Sequence, residues 1–275
     1  PYSGTLTQDT TWTADNVYLI SGDVTVPLGV TLTINAGAVI KFQALSDDSS
    51  GGNDTARSEL IITNGSLIAE GTPSEPIILT SNTGTPAAGD WGGIRHTGNG
   101  QLTLRYATIE YATLGVDYRV DGGFIVAPVI ENSTIRDSTG RGLYLEGKGG
   151  VNLTASIINN VVHGHSSEGI YVAATETNTA ITATVTNNHV YSNNRSGIYL
   201  ESSSYSNSAF TALVNNNQVH DNYYYGIHTN SRSTTNDVQI VGNTVYSITN
   251  SSSWGIYVDN RGNSSRLEMV NNTVY

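Results

Sequence analysis

GIYLESSSYSNSAFTALVNNNQVHDN (197–222) decides the fold. Side chains on an extended strand flip with a period of two residues. Ile198 and Leu200 therefore share one face of a first short strand, and Phe210, Ala212 and Val214 share one face of a second. A Ser-rich loop joins the two. The Asn216-Asn217 corner leads to a third strand around Val219. Three strands this short cannot close a core by themselves, so they need neighbours that repeat them.

The neighbours are in the chain. Gly-Ile or Gly-Leu recurs at Gly142-Leu143, Gly169-Ile170, Gly197-Ile198, Gly226-Ile227 and Gly255-Ile256, in steps of 27, 28, 29 and 29 residues, with Gly115-Val116 as a weaker copy 27 residues upstream. Asn-Asn-x-Val follows the same period at Asn159-Asn160, Asn187-Asn188, Asn216-Asn217 and Asn271-Asn272, with Asn132-Ser133 and Gly242-Asn243 as variants. The inner slots of residues 197–222 are filled one period back by Ile170, Val172, Ile181, Ala183 and Val185, and two periods back by Leu143, Leu145, Leu153, Ala155 and Ile157.

A fixed period of this length is the mark of a solenoid, in which each repeat is stabilised by the next. Strands stacked on their own copies run parallel, about 4.8 Å apart. Asn at the corners fits, because Asn tolerates left-handed backbone and its side chains can stack as hydrogen-bonded ladders. We therefore expect an all-β, right-handed single-stranded parallel β-helix of about ten coils of three short strands, the handedness following the usual crossover rule. Strands are expected at 23–27, 30–34, 38–42, 59–63, 66–69, 76–80, 93–96 and 101–109. Residues 1–22 are expected to cap the first coil, 23–275 to form the helix, and the polar, glycine-rich segment 43–58 to loop away from it. The chain stops at Val274-Tyr275 in mid-coil, which predicts a further domain or chain stacked on that end.

Composition narrows the partners. The 275 residues carry no cysteine, 37% hydrophobic and only 13% charged residues, and a formal charge of −11. Ser, Thr, Asn and Gly disfavour helix, while Thr, Val, Ile and sixteen tyrosines favour strand. Two lysines and ten scattered arginines form no basic stripe, which argues against a nucleic-acid partner. No apolar run approaches the length of a membrane span. The polar, lysine-poor surface points to an extracellular or cell-surface location.

DVTVPLGVTLTINAGAVIKF (23–42), GSLIAEGTPSEPIILTSN (65–82), GDWGGI (89–94) and the GIYV/GIYL and NNTVY repeats resemble the right-handed parallel β-helix proteins of the pectate-lyase-like superfamily, and among them bacterial secreted or cell-surface proteins. The resemblance covers nearly the whole chain. It implies the fold and a polysaccharide as partner. Lyases, polygalacturonases, epimerases, phage tailspikes and non-catalytic adhesins share this architecture, so activity has to be read from the site.

One outward row stands out. The residue after Gly-Ile is Tyr144, Tyr171, Tyr199, His228 and Tyr257. Two residues on, the same face carries Glu146, Ala173, Glu201, Asn230 and Asp259. An aromatic in every coil beside acidic and amide side chains suits sugar rings, which pack on aromatic surface and hydrogen-bond to acceptors. Stacked rings also stabilise neighbouring coils without any ligand. A second row, Arg136, His163, Tyr191, His220, Tyr246 and Tyr275, follows the third strand, and His163-Gly164-His165 has a spacing that can chelate a metal. Thr154, Thr182 and Thr211 form a short threonine row of the kind that orders water. Asp47, Asp48, Asn53, Asp54 and Glu59 offer oxygen ligands for calcium, without the spacing of an EF-hand loop.

For an enzyme, the candidates to abstract a proton or bind a uronate are Arg141, Arg195, His163, His165, Tyr171 and Tyr199. Glu146 and Glu201 stand two coils apart, roughly 10 Å, too far for the carboxylate pair of a retaining or an inverting hydrolase. None of the catalytic signatures of β-helix lyases or epimerases is recognised in the chain. The sequence thus reads as a non-catalytic module that binds polysaccharide or a cell-surface glycan through Tyr144, Tyr171, Tyr199, His228, Tyr257, Glu146, Glu201 and Asp259, with no required cofactor. The alternatives are a uronate polysaccharide lyase and a structural stalk or fibre.

Overall fold

The structure, a computed structural model, describes residues 2–202 and 207–275. Residues 203–206 of the Ser-rich loop and Pro1 lie outside that range. The chain winds as a parallel β-solenoid whose strands stack in three ladders. The first ladder includes Gly93–Thr97, Val116–Asp121, Leu143–Lys148, Ile170–Ala174, Ile198–Ser202, Ile227–Ser231 and Ile256–Asn260. The second includes Asn152–Ile158, Ala180–Thr186, Ala209–Asn215, Thr235–Val241 and Ser264–Val270. The third runs through Thr134–Arg136, Val161–His163, His189–Tyr191, Gln218–His220 and Thr244–Tyr246.

Register follows the repeat residue for residue. Leu143, Ile170, Ile198, Ile227 and Ile256 are successive partners, as are Ile157, Val185, Val214 and Ile240. The inner positions named from the pattern are buried, from Leu143 and Leu145 to Phe210, Ala212 and Val214. Strands appear close to the expected places upstream, including Thr31–Asn35, Glu59–Thr63, Ser66–Glu70 and Ile77–Ser81. The segment 101–109 is two strands, Leu102–Arg105 and Ala107–Glu110, because Tyr106 between them takes a left-handed backbone (φ 49°).

The expectation of about ten coils needs correction. The regular helix has about seven turns, starting at Gly93. From there the first-ladder partners Ile94, Val116, Leu143, Ile170, Ile198, Ile227 and Ile256 follow at steps of 22 to 29 residues. Upstream, Val24, Leu60 and Ile94 are 36 and 34 residues apart, so those turns are longer and less regular. Tyr2–Thr5 and Thr10–Trp12 pair onto the ladders ahead of them, and Trp12 and Tyr18 stack at 4.9 Å in the core.

The corner asparagines divide two tasks. Asn132, Asn159, Asn187, Asn216 and Asn271 have φ between 52° and 58°, and Gly242 takes the same conformation. The next residue turns inward. The backbone N–H and side-chain amide of Asn160 both donate to Asn188 Oδ1, Asn188 does the same to Asn217, and Asn217 to Asn243, each at 2.9–3.0 Å. These side chains are buried, so each such bond replaces solvation that the core cannot give.

Candidate functional site

The aromatic row lies on the outer face of the first ladder in the expected register, Tyr144 to Tyr171 to Tyr199 to His228 to Tyr257. Its rings touch each other. Tyr144 meets Tyr171 edge-on at 5.1 Å, Tyr171 meets Tyr199 edge-on at 5.0 Å, and Tyr199 lies parallel to His228 at 4.2 Å. Arg141 covers the first two, its guanidinium carbon 4.5 Å from the ring centre of Tyr144 and 4.2 Å from that of Tyr171. Tyr171 is consequently only 7% exposed, whereas Tyr144, Tyr199, His228 and Tyr257 are half-buried.

The carboxylates are tied into the row. Glu146 accepts from Tyr144 Oη at 3.1 Å and from Thr175 Oγ1 at 2.8 Å, Glu201 accepts from Tyr171 Oη, and Asp259 pairs with Arg261 at 2.6 Å. Burial, with Glu146 beside it, pushes the Tyr144 phenol up to about 12; burial and the bond to Glu201 raise Tyr171 as well. Tyr199 is raised by burial first. Phenols held protonated in this way are poor proton-abstracting bases near neutral pH. Burial pushes His228 down to about 4, so this ring is neutral at pH 7. Ala173 separates Glu146 from Glu201 in the register, as the repeat implies.

Concavities open on this face. A cleft of about 320 Å³ is lined by Tyr199, His228, Tyr224, Tyr225, Arg195 and Glu168. Tyr224 is 44% exposed. Glu168 is held by Arg141 Nε at 2.7 Å and faces Arg195 at 3.8 Å. Further along the same ladder, a polar cavity of about 420 Å³ has Arg95, Asp117, Arg119, Glu146 and Lys148 in its wall. Arg119 forks onto Asp117 with both contacts at 2.5 Å, and Lys148 faces Asp121 at 3.6 Å. Arg95 has no ion pair among the described residues.

The repeat pattern marks Tyr199, His228 and Glu146 but not Tyr224, Tyr225, Arg95, Asp117 and Arg119. The register was the available signal for the last three, because Arg95 and Asp117 precede Tyr144 in its row and Arg119 precedes Glu146. Tyr224 and Tyr225 sit in a corner between ladders, where period-two alternation says nothing.

The other candidates fare differently. His163 and His165 do not form a chelating pair. Gly164 takes φ 75° and turns His165 into the core, where Nδ1 accepts from Ser138 N–H at 3.2 Å and Nε2 lies 3.1 Å from the Ile135 carbonyl. Burial pushes His165 down to about 3. The second row is a ring stack: His163 on Tyr191, Tyr191 on His220 and His220 on Tyr246, at 4.6, 5.2 and 4.7 Å and within 9° of parallel. Thr154, Thr182 and Thr211 are exposed and aligned, and their row continues as Asp237 and Arg266. In the segment 43–58, Asp47 accepts from the Ser49 and Gly51 N–H groups, and Glu59, which follows it, accepts from those of Asn53 and Asp54. Among the described residues no group of three or more metal-binding side chains occurs, and no helix is long and apolar enough to cross a membrane.

Against known families, residues 92–274 match the model described as right handed beta helix region, and residues 4–118 match that of the pectate-lyase like beta helix domain. The chain belongs to the right-handed β-helix family. Comparison with curated protein sequences gave no match. Among solved structures, it is similar to the periplasmic alginate epimerase AlgG at 14% identity and a TM-score of 0.36, covering 93% of this chain and 78% of that one. A variant of the same enzyme gives 12% and 0.39 with the same coverage.

Proposed function

We propose that this chain is a non-catalytic module of an extracellular or cell-surface protein that binds polysaccharide or a cell-surface glycan on the outer face of its first ladder. The observation that carries the reading is the cleft in which Tyr199, His228 and the exposed ring of Tyr224 converge with Arg195 and Glu168. Aromatic surface packs against the apolar faces of a sugar, and a charged pair beside it supplies both donors and acceptors for hydroxyls. The face offers a polymer more than one place to bind, because the polar cavity around Arg95 and Asp117 lies on the same ladder toward its N-terminal end.

The row contributes differently from a bare aromatic strip. Its rings pack on each other, so Tyr144 and Tyr171 stiffen the platform while Tyr199 and His228 meet the ligand. Arg141 and Arg195 beside the row favour a second reading, a uronate lyase, although the raised phenols weigh against a tyrosine base. A polysaccharide binding screen with ultraviolet detection of unsaturated uronate tests both. Binding without product is the expected result. Product would establish the lyase, and neither binding nor product would leave a structural stalk.

A further inference from the structure

The outer face of the third ladder holds an arrangement the polysaccharide reading does not use. His189 opens the strand His189–Tyr191, and His220 closes the next one, Gln218–His220. Their Nε2 atoms point at each other across 2.7 Å. The other ring nitrogen of His220, Nδ1, meets the Asp221 carboxylate at 2.7 Å. Asp221 can turn back onto its neighbour because its backbone is left-handed, at φ 53°. The rings are fixed in place: Tyr191 lies parallel to His220 at 5.2 Å and packs on His189 at 4.6 Å, and Tyr246 closes the far side of His220 at 4.7 Å.

We infer that His189 and His220 form a two-histidine site for a divalent transition metal of the imidazole-preferring class, with Asp221 orienting His220. A carboxylate on Nδ1 keeps the proton there and leaves the Nε2 lone pair free, which is the usual outer-shell device of a metal-binding histidine. In the metal-free form the two Nε2 atoms share one proton. On metal binding His189 changes tautomer, its proton passing from Nε2 to Nδ1 by way of solvent, so that both neutral rings offer an Nε2 lone pair.

The geometry needs little adjustment. Metal–nitrogen bonds of about 2.0–2.1 Å at right-angled to tetrahedral ligand angles place the two nitrogens about 2.9–3.4 Å apart, a few tenths of an ångström beyond the present separation. Only two protein ligands converge here, so water completes the coordination and the site stays open to an exogenous donor. Imidazole ligands and the usual stability order put Cu²⁺ first, with Ni²⁺ and Zn²⁺ weaker.

The test is titration of the tag-free, chelator-treated protein with Cu²⁺, followed by electron paramagnetic resonance and calorimetry. One equivalent should bind with coupling to two nitrogens. His189→Gln and His220→Gln should each abolish it, Asp221→Asn should weaken it about 10- to 100-fold, and His163→Gln should leave it unchanged. Protection of His189 and His220 from diethyl pyrocarbonate by Cu²⁺ in the wild-type chain is the parallel measurement that needs no variant. No saturable binding, binding that survives both glutamine substitutions, or unprotected histidines would each overturn the assignment.

Discussion

Arg141 sits with its guanidinium carbon 4.2 Å from the ring centre of Tyr171, and with the rings of Tyr144 and Tyr199 it packs around that buried side chain. Arg141 also donates to Glu168, which lines the aromatic cleft. One cation thus joins the stiff half of the row to its open half. Arg141→Ala should uncover Tyr171 and leave the nearly buried Glu168 with the Ser167 hydroxyl at 2.7 Å and the more distant Arg195 at 3.8 Å. Loss of a cation–π contact and of one partner of a mostly buried pair should cost about 2 kcal/mol. Urea unfolding reads this directly, and an unchanged midpoint would show that the arginine is only a lid.

The Gly-Ile step is a packing requirement. A Cβ on Gly197 would lie 2.6 Å from Val219 Cγ1 and 2.8 Å from Asn222 Nδ2. The corner must open to admit it. Gly197→Ala should therefore destabilise by about 1–3 kcal/mol, measured by the same unfolding experiment. Wild-type stability would mean the coils can spread without cost.

Asn188 occupies the middle of the buried ladder. It accepts the backbone N–H and the side-chain amide of Asn160, donates twice to Asn217 and donates to the Ile157 carbonyl at 2.9 Å. Asn188→Ala strands the Asn160 backbone N–H and takes one donor each from the Ile157 carbonyl and from Asn217 Oδ1, and each unsatisfied buried group costs about 1–3 kcal/mol. A loss of roughly 3 kcal/mol is expected. Chemical denaturation with matched slopes checks it, and a loss below about 1 kcal/mol would contradict the account.

How much of this was legible follows from what repeats. Leu143, Ile170 and Ile198 mark the core because burial imposes the same alternation in every coil. Tyr144, Tyr171 and Tyr199 mark the outer row for the same reason. What the pattern could not give was whether those rings present faces or edges. That depends on Arg141, which lies outside the strand and belongs to no row. The cleft was hidden too, since Tyr224 and Tyr225 lie in a corner that the repeat leaves free to vary. His165 was misplaced because one left-handed residue, Gly164, reverses the direction that alternation assigns.

That reversal has a pH consequence. Burial first, and for His165 also the nearby His163, holds His165 down to about 3, while burial holds His96 down to about 4, against an ordinary 6.5. Between those values and 6.5 the unfolded chain carries protons that the folded chain refuses. Stability is then full above pH 6.5 and falls as the pH drops through that window. His165 stands where Asn193 and Asn222 stand in the following coils, its backbone N–H donating to Asn193 Oδ1 at 3.2 Å and that of Asn193 to Asn222 Oδ1 at 3.1 Å. His165→Asn should keep the ladder and flatten the acid limb in a comparison of thermal midpoints at pH 7 and pH 5. An unchanged acid limb would place the sensitivity elsewhere.

The central claim is that the outer face of the first ladder binds polysaccharide through its cleft. Affinity electrophoresis of the wild type, Tyr199→Ala and Tyr224→Ala in gels carrying the polysaccharide identified by the screen tests it most directly, with circular dichroism to confirm the fold. The expected result is retardation of the wild type and loss of most of it in both variants, with the β-sheet signal intact. Full retardation of both folded variants would contradict it.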